Sequence, residues 1–207
     1  GALFASDGNG NDVDNIRIGL AGNISDYTFK GASGVFAEAN TFDKPGRSLD
    51  PADTINYVDK HDNETLWDQL QYSLGDDWSA WDRARAHVVA GSFPLLSQGI
   101  PFMQMGSDLL RSKSMDRNTY NSTDYLNKVD FTKNTNNWGV SLPIEVTNFD
   151  RTVELLQNSN IQVDNSEIEF ASDAYKELLQ IRSGSKLFRL TTAEQIKDRV
   201  GFHNVGA

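Results

Sequence analysis

The stretch TINYVDKHDNET, residues 54–65, changes character half-way along. Its first half, residues 54–58, is β-branched and aromatic without Gly or Pro, which predicts a short buried strand. Its second half is polar, and a helical pattern with Leu66, Trp67 and Leu70 on one face follows at once. A strand that ends in His-Asp-Asn and leads into a helix is typical of the catalytic face of a βα unit, since residues at the carboxyl ends of barrel strands carry out the chemistry.

A second strand is predicted at 100–106, IPFMQMG, because a strand tolerates Pro near its start. Between the two strands, Thr65 and Asp68 predict the cap of a short helix. Residues 78–98 predict a longer helix, which Pro94 should kink. The region therefore alternates strands and helices, as an α/β fold does.

The composition excludes several classes of function. The chain has 207 residues, fewer than the ~250 of a complete (β/α)8 barrel. Its net charge of −10 argues against nucleic acid and anionic membrane as partners, because both require a basic face. No apolar run reaches ~18 residues, so no membrane span is predicted. The absence of Cys excludes disulfides and thiol chemistry. It leaves the compartment open, with a secreted or periplasmic location slightly favoured although no signal peptide is visible.

The ends of the chain predict shorter elements. Residues 7–15, DGNGNDVDN, alternate oxygen-bearing side chains as a calcium loop does, but Asp12 and Ile18 stand where that loop needs Gly and Glu. A polar surface loop is therefore expected there, then a helix over 16–29 capped by Asn15 or Asp14, and an irregular segment over 30–53. Later elements are a helical turn at 150–157, a helix over 173–183 capped by Ser172, and a short helix opened by a capping box at Thr191 and Glu194.

Two segments carry a family resemblance. YVDKHDNETLWD, residues 57–68, resembles the fourth conserved region of the α-amylase superfamily (glycoside hydrolase family 13), in the form found in pullulanases and plant limit dextrinases. GIPFMQMGSD, residues 99–108, is similar to the eighth-strand signature of that superfamily. The resemblance extends to the loops after that strand, namely Leu110–Ser114, Tyr120–Tyr125 and Asn136–Val140. In the second loop Thr123 replaces the usual Gly, and a Thr should strain a turn that needs positive φ.

The resemblance implies a fold. Residues 1–190 would be the C-terminal part of a (β/α)8 barrel, with strands seven and eight and their helices. Residues 191–207 would begin a C-terminal β-sandwich domain, whose first strand would be Arg199–Asn204. The family's nucleophilic Asp and acid Glu would lie upstream, because neither motif occurs in this chain.

It also implies a function. The family hydrolyses α-1,6-glucosidic bonds in pullulan, amylopectin and limit dextrins with retention. Asp62 would be the carboxylate that stabilises the transition state, and His61 would hold the sugar at the cleavage point. The other residues implied to bind the α-glucan are Asn63, Arg111, Asp124 and Tyr120.

Alternatives stay open at this point. The chain could be a non-catalytic module that binds glucan or a protein partner through a half-barrel surface. It could also belong to another family-13 enzyme such as isoamylase, although the Arg-Ser-Lys-Ser loop favours pullulanase. Arg111 and Asp124 could form a surface salt bridge, and Tyr120 or Trp138 could pack in a core instead of on a sugar.

Ions and partners can also be addressed from the sequence. His61, His87 and His203 lack metal-ligand spacing, and His87 is expected to be structural. No cofactor is required, and a calcium ion, if bound, cannot be assigned to residues. The expected partners are the α-glucan and either the missing N-terminal part of the same enzyme or a second copy, since open strand edges invite pairing.

Overall fold

The computed structural model describes residues 10–203, with side chains from Asp12 onward. These residues fall into two compact units. The first is drawn from Gly1–Tyr57, Phe93–Phe102 and Leu178–Ala207, as far as these ranges are described, and the second from Val58–Ser92 and Met103–Glu177. No described helix combines the length and the apolar character that a membrane span needs.

The first unit contains a helix, a hairpin and a parallel strand pair. Helix α1 (Gly10–Leu20) precedes the hairpin, in which β1 (Thr28–Lys30) and β2 (Phe36–Glu38) pair antiparallel. The core joins these elements to the short C-terminal helix of the unit. Its buried residues are Ile18, Ala21, Ile24, Tyr27, Phe29, Ala39, Leu190, Ala193 and Ile196.

The parallel pair consists of β3 (Ile55–Asn56) and β4 (Ile100–Pro101), with Ile55 opposite Ile100. The Ile100 amide donates to the Thr54 carbonyl (3.0 Å), and the Phe102 amide donates to the Asn56 carbonyl (2.8 Å). Both predicted strands therefore form and pair in parallel, but β3 is not buried as predicted, because Ile55 is 59% exposed. Each is shorter than the prediction, because each has only one neighbouring strand within residues 10–203.

The second unit is built from helices and long ordered loops. It contains α2 (Leu66–Gln71), α4 (Phe149–Gln157) and most of α3 (Ala80–Leu96) and α5 (Asn165–Gly184). The predicted short helix, long helix with Pro94 inside and helical turn are thus confirmed. The buried apolar core of this unit is formed by Trp67, Ala84, Leu109, Leu110, Met115, Trp138, Leu155, Ile161, Val163, Ile168 and Ala171.

Two predictions near the N-terminus are wrong. α1 begins at Gly10, so residues 10–15 are helical, and Asp14 lies inside the helix and not at its cap. Its carboxylate instead accepts a hydrogen bond from the amide of Ala32 at 3.0 Å. The helix ends at Leu20, ahead of Gly22 at φ 74°, and does not reach residue 29. Residues 7–9 of the predicted polar loop lie outside the described part of the chain.

The start of α5 also differs from the prediction. The helix begins at Asn165, ahead of Ser172, which therefore lies inside it. Asp164 accepts a hydrogen bond from the amide of Ser166 (2.7 Å), and Glu167 accepts one from the amide of Asp164 (3.0 Å). This reciprocal arrangement is a capping box, which satisfies amide groups at the start of the helix.

The last described helix, α6 (Ala193–Arg199), is capped one residue later than predicted. Thr192 is the cap, and its hydroxyl accepts from the amide of Gln195 (3.3 Å). The strand predicted from Arg199 does not form among the described residues, because α6 runs through Arg199 and residues 200–203 pair with no strand. Asn204 lies outside the described residues.

The first unit should associate through its parallel strand pair. Ile55, Tyr57, Ile100 and Phe102 are each about half exposed on it, and unpaired strands with apolar side chains invite pairing with another chain. We expect the average mass of the 207-residue chain in sedimentation equilibrium to rise with concentration.

The control for this prediction is a pair of exposed Ile residues elsewhere. The double variant Ile55→Lys/Ile100→Lys should lower the association. Ile144→Lys/Ile181→Lys should not, although both Ile side chains are exposed. A chain that stays monomeric at every concentration tested contradicts the prediction.

Candidate active site

The His61-Asp62-Asn63 turn lies in the second unit, just ahead of α2. Thr65 caps this helix, since its hydroxyl accepts a hydrogen bond from the amide of Asp68 at 3.2 Å. On the other side of the turn, the buried carboxylate of Asp59 accepts hydrogen bonds from the amide of Leu66 (3.1 Å) and from the hydroxyl of Ser107 (3.1 Å). Both sides of the turn are therefore fixed by hydrogen bonds to the start of α2.

Asp62 presents a charged carboxylate to solvent. Its side chain is 57% exposed and pairs with Lys60, and Nε2 of His61 lies 3.3 Å from Oδ1 of Asp62. The hydrogen bond from Lys60 is the main reason why the pKa of Asp62 is lowered, and the nearby His61, Lys60 and Lys113 lower it further. The group is therefore ionised at neutral pH, and His61 stands beside it with 85% of its side chain exposed.

Asn63 is held in a conformation that few residues adopt. Its φ of 59° lies in the left-handed region, where Asn is among the residues tolerated best. Its side-chain oxygen accepts a hydrogen bond from Arg117 (3.0 Å). Nε of Arg117 also lies 3.2 Å from Oε1 of Glu64, with which it forms an ion pair. The Glu64 side chain is almost fully buried. One guanidinium thus holds two consecutive residues at the end of the turn.

Arg111, implied by the resemblance to bind the glucan, is buried in this structure. Its guanidinium donates to the carbonyl of Met105 (3.1 Å) and to the carbonyl of Asn127 (2.7 Å). Burial lowers its pKa, and it forms no salt bridge with Asp124. Arg111 therefore ties the segment after β4 to the segment around Asn127.

Tyr120 and Asp124 lie on an exposed loop, and Tyr120 is 96% exposed. No hydrogen bond within residues 10–203 joins either side chain to the His61-Asp62-Asn63 turn. A turn forms at Thr123, whose carbonyl accepts a hydrogen bond from the Leu126 amide (3.1 Å), and Thr123 does not adopt positive φ. Replacement of the usual Gly by Thr123 therefore causes no strain there.

The buried carboxylate of Asp68, which the sequence pattern indicated only as part of the helix cap, anchors the loop around Lys113. Asp68 accepts from the Ser112 hydroxyl (2.5 Å) and from the Lys113 amide (2.8 Å). Burial raises the pKa of Asp68 to about 6, although these hydrogen bonds oppose the rise. Asp68 lies in α2, so this helix and the loop are fixed to each other.

Asp116 anchors a second set of segments. It is fully buried. One carboxylate oxygen accepts from the Asn118 amide (2.8 Å) and the Ser122 hydroxyl (3.1 Å), and the other accepts from the Ile144 amide (2.6 Å) and the Glu145 amide (3.3 Å). Acidic residues in a polar loop are common, so the sequence carries no signal that would have distinguished Asp116 from its exposed neighbours.

His87 and Trp138 belong to the interior, as expected for a structural His and for a Trp in a core. Both are buried, and Nε2 of His87 lies 2.7 Å from the Ser107 carbonyl, which makes it the protonated nitrogen of the neutral ring. Among the described residues, no group of three or more His, Asp or Glu side chains is placed to hold a metal ion.

The acid stability of the chain should depend on His87. Burial lowers its pKa from 6.5 to about 4. Between these values the unfolded chain binds a proton that the native chain does not bind, so stability falls as pH falls from 6.5 to 4. Urea unfolding should measure this effect. Between pH 7 and pH 4, the unfolding free energy of His87→Gln should fall by about 3 kcal/mol less than that of wild type.

The comparison of His87→Gln with wild type isolates the effect of His87, and His203→Gln serves as the control. Asp68 acts in the opposite direction over an overlapping range, because its raised pKa makes stability fall as pH rises towards 6. That contribution is the same in wild type and variant and cancels in the difference. His203→Gln, at an exposed position, should match wild type. Equal acid losses in wild type and His87→Gln contradict the prediction.

Comparison with known proteins gives the chain's relatives. A family model described as alpha-1,6-glucosidases, pullulanase-type, C-terminal, matches residues 133–207. Pullulanase 1, chloroplastic, of Arabidopsis thaliana is 40% identical over 204 residues, which cover 93% of this chain and 21% of that protein. The chain is related to the pullulanases.

Solved structures agree with this relationship. The crystal structure of Klebsiella pneumoniae pullulanase complexed with maltotriose matches 96% of this chain with a TM-score of 0.89 and 33% identity. PulA from Klebsiella oxytoca matches 98% with a TM-score of 0.90 and 32% identity. These matches cover 19% and 20% of those chains. The chain therefore spans about a fifth of the length of its pullulanase relatives.

The geometry of the turn limits what it can bind. Asp62 offers charged acceptors, and the exposed His61 ring offers a donor beside them. Charge-assisted hydrogen bonds from such a pair suit a neutral ligand rich in hydroxyl groups. A single exposed carboxylate cannot, however, supply both of the reacting groups that hydrolysis with retention needs.

Proposed function

We propose that this chain is part of a starch-debranching glycoside hydrolase that cleaves α-1,6-glucosidic bonds in pullulan, amylopectin and limit dextrins with retention. The observation that carries the proposal is the ionised, exposed carboxylate of Asp62 beside His61, on a turn fixed ahead of α2. The relationship to the pullulanases supports it.

In the proposed mechanism Asp62 stabilises the transition state. Retention needs a nucleophilic carboxylate and a carboxylic acid ~5–5.5 Å apart on opposite faces of the sugar. We propose that both lie in a preceding part of the whole protein. The Asp62 carboxylate would then accept hydrogen bonds from hydroxyl groups of the distorted ring, which strengthen as positive charge develops.

The remaining site residues have proposed roles in binding. His61 would hold the sugar at the cleavage point, and Asn63 would contact it from the next position of the turn. Tyr120 would stack on a sugar face, for which its full exposure leaves the ring free. Asp124 would accept hydrogen bonds from sugar hydroxyls. Arg111, which is buried, would contribute by holding the loops that carry these residues.

The proposal includes a fold for the whole protein. Residues 1–190 would complete a (β/α)8 barrel as its last two strands and helices, and residues 191–207 would lead into a β-sandwich domain. The parallel pairing of β3 with β4 supports the barrel, because neighbouring barrel strands are parallel. The turn after β3 would then lie at the carboxyl ends of the strands, where barrel enzymes carry their active sites.

The experiment that tests the function measures hydrolysis by a longer protein that contains this chain. We expect it to release reducing sugar from pullulan and not from unbranched amylose, and proton NMR of the first products should show the α-anomer. Hydrolysis of amylose at a comparable rate, or a β-anomeric first product, overturns the proposal.

The isolated chain should be inactive. It carries the proposed transition-state carboxylate but neither reacting carboxyl group, and the loss of even one such group usually costs orders of magnitude in rate. We expect the purified 207-residue chain to release no reducing sugar from pullulan above a blank without protein. Release above that blank would show that the chain carries its own nucleophile and acid.

The alternative is a non-catalytic module that binds glucan. The exposed aromatic side chains of Tyr120, Tyr125 and Phe131 favour it, because sugar rings stack on such surfaces. The two functions differ in whether reducing sugar is released from pullulan. A binding module would be slowed by pullulan in an affinity gel and would not hydrolyse it. This would hold even for the longer protein.

A further inference from the structure

Lys113 places a buried ammonium group against the backbone of the candidate active site. The residue is fully buried. Its Nζ donates to the carbonyl oxygen of His61 at 3.3 Å and to the hydroxyl of Thr119 at 3.4 Å. None of the ion pairs among residues 10–203 includes Lys113.

Stability does not explain this arrangement. Burial lowers the pKa of Lys113, the negative charge of Asp68 and then of Asp116 and Glu64 opposes that effect, and Arg111 adds to it. A buried charge without a directly paired carboxylate costs free energy of folding. The ammonium group therefore needs a functional explanation.

The position of the ammonium group is well defined. The Lys113 amide is bound by Asp68 (2.8 Å), and the Ser112 hydroxyl donates to the same carboxylate (2.5 Å). The next two residues, Ser114 and Met115, adopt left-handed φ values of 53° and 68°. Residues in this region cost free energy and cluster at functional sites. The backbone at Lys113 is thus held tightly enough to orient a neighbouring segment.

We propose that Lys113 is a positioning residue for the Asp62 carboxylate, an inference that rests on the proposed function of Asp62. Through its hydrogen bond to the His61 carbonyl, the ammonium group fixes the peptide plane that joins His61 to Asp62. The plane sets the direction in which the Asp62 side chain leaves the backbone. Arg117, from the same segment, holds the following residue Asn63 through its side-chain oxygen.

The first test uses the 207-residue chain and needs no activity. Lys113→Met keeps the length of the side chain and removes the charge and the donors. We expect its melting temperature to equal or exceed that of wild type, while the amide NMR signals of His61 and Asp62 shift and their hydrogen exchange accelerates. Lys176→Met, which removes an exposed Lys paired with Asp173, should leave those signals unchanged.

A rescue variant follows from the absence of Cys in the chain. Lys113→Cys can be alkylated with 2-bromoethylamine in denaturant and refolded, which rebuilds an ammonium side chain at this position alone. We expect the alkylated protein to regain the wild-type signals of His61 and Asp62. If the signals of the turn are unchanged in Lys113→Met, or if this variant unfolds while the alkylated one does not regain the signals, the positioning role is overturned.

The second test measures catalysis in the longer protein. Lys113→Met should lower kcat for pullulan by up to about 100-fold, as misplacement of a reacting group by about 1 Å does, and change KM much less. An unchanged kcat in Lys113→Met, in a protein that Asp62→Asn inactivates, overturns the positioning role and leaves the proposed function intact. Activity that survives Asp62→Asn overturns the proposed function instead, and the NMR result for the turn is then judged separately.

Discussion

Replacing Asp62 by Asn should abolish the turnover of pullulan by the proposed debranching enzyme. We expect kcat to fall at least about 100-fold, which is the loss typical when one preorganised group that stabilises transition-state charge is removed. The substitution keeps the shape of the side chain and removes only its charge. The side chain is 57% exposed, so no core has to repack and the fold should be unchanged. Initial rates of reducing-sugar release at saturating pullulan measure the effect.

Asp76→Asn is the matched control. Asp76 lies in the same unit, its side chain is 59% exposed, and it pairs with Arg151 as Asp62 pairs with Lys60. Its loss should leave kcat close to wild type, because exposed ion pairs contribute little. An Asp62→Asn protein that keeps more than about a tenth of wild-type kcat, a loss under ~1.4 kcal/mol, takes Asp62 out of the transition-state role.

Replacing Trp67 by Ala should cost about 3–5 kcal/mol of unfolding free energy, the usual range for a buried aromatic residue. The Trp67 ring is fully buried in the core of the second unit. It is carried by α2, whose first turn fixes the His61-Asp62-Asn63 turn through Asp59 and Thr65. Removal of the ring leaves a cavity and loosens the helix on which the site depends. Guanidinium unfolding followed by circular dichroism measures the loss.

Trp81→Ala is the comparison for Trp67→Ala. Trp81 also lies in the second unit, but it is 39% exposed and contacts Phe170 at a ring distance of 5.5 Å. Its loss should cost clearly less unfolding free energy, because Trp81 buries less apolar surface in the folded protein than Trp67 does. If Trp67→Ala does not fold, Trp67→Phe, which keeps most of the ring, should fold with an intermediate loss. Equal losses for Trp67→Ala and Trp81→Ala contradict the prediction.

The elements around the His61-Asp62-Asn63 turn could be predicted because their signals are local. A Thr ahead of an amphipathic run predicts a helix start, and Thr65 does cap α2. β-branched residues between polar segments predict β3, and the apolar run from Ile100, with Pro101 near its start, predicts β4. The exposure of Asp62 and His61 also follows from the polar sequence of the turn.

The burial of charged loop residues could not be predicted, because it depends on segments far apart in the sequence. Arg111 and Lys113 stand in polar sequence that indicates exposure. Arg111 is enclosed through Asn127, and Lys113 through His61 and Asp68. The start of α5 is a different case. Its capping box at Asp164 and Glu167 is a local signal, but Ser172 is also a residue type favoured as a cap, so the sequence offers two possible starts.

Asp116 has a consequence for how this region can evolve. Its one carboxylate holds both ends of a long loop, at Asn118 and at Ile144. A substitution there releases two distant segments together, and a compensating change at either end restores only one of them. Position 116 should therefore resist change even to Asn.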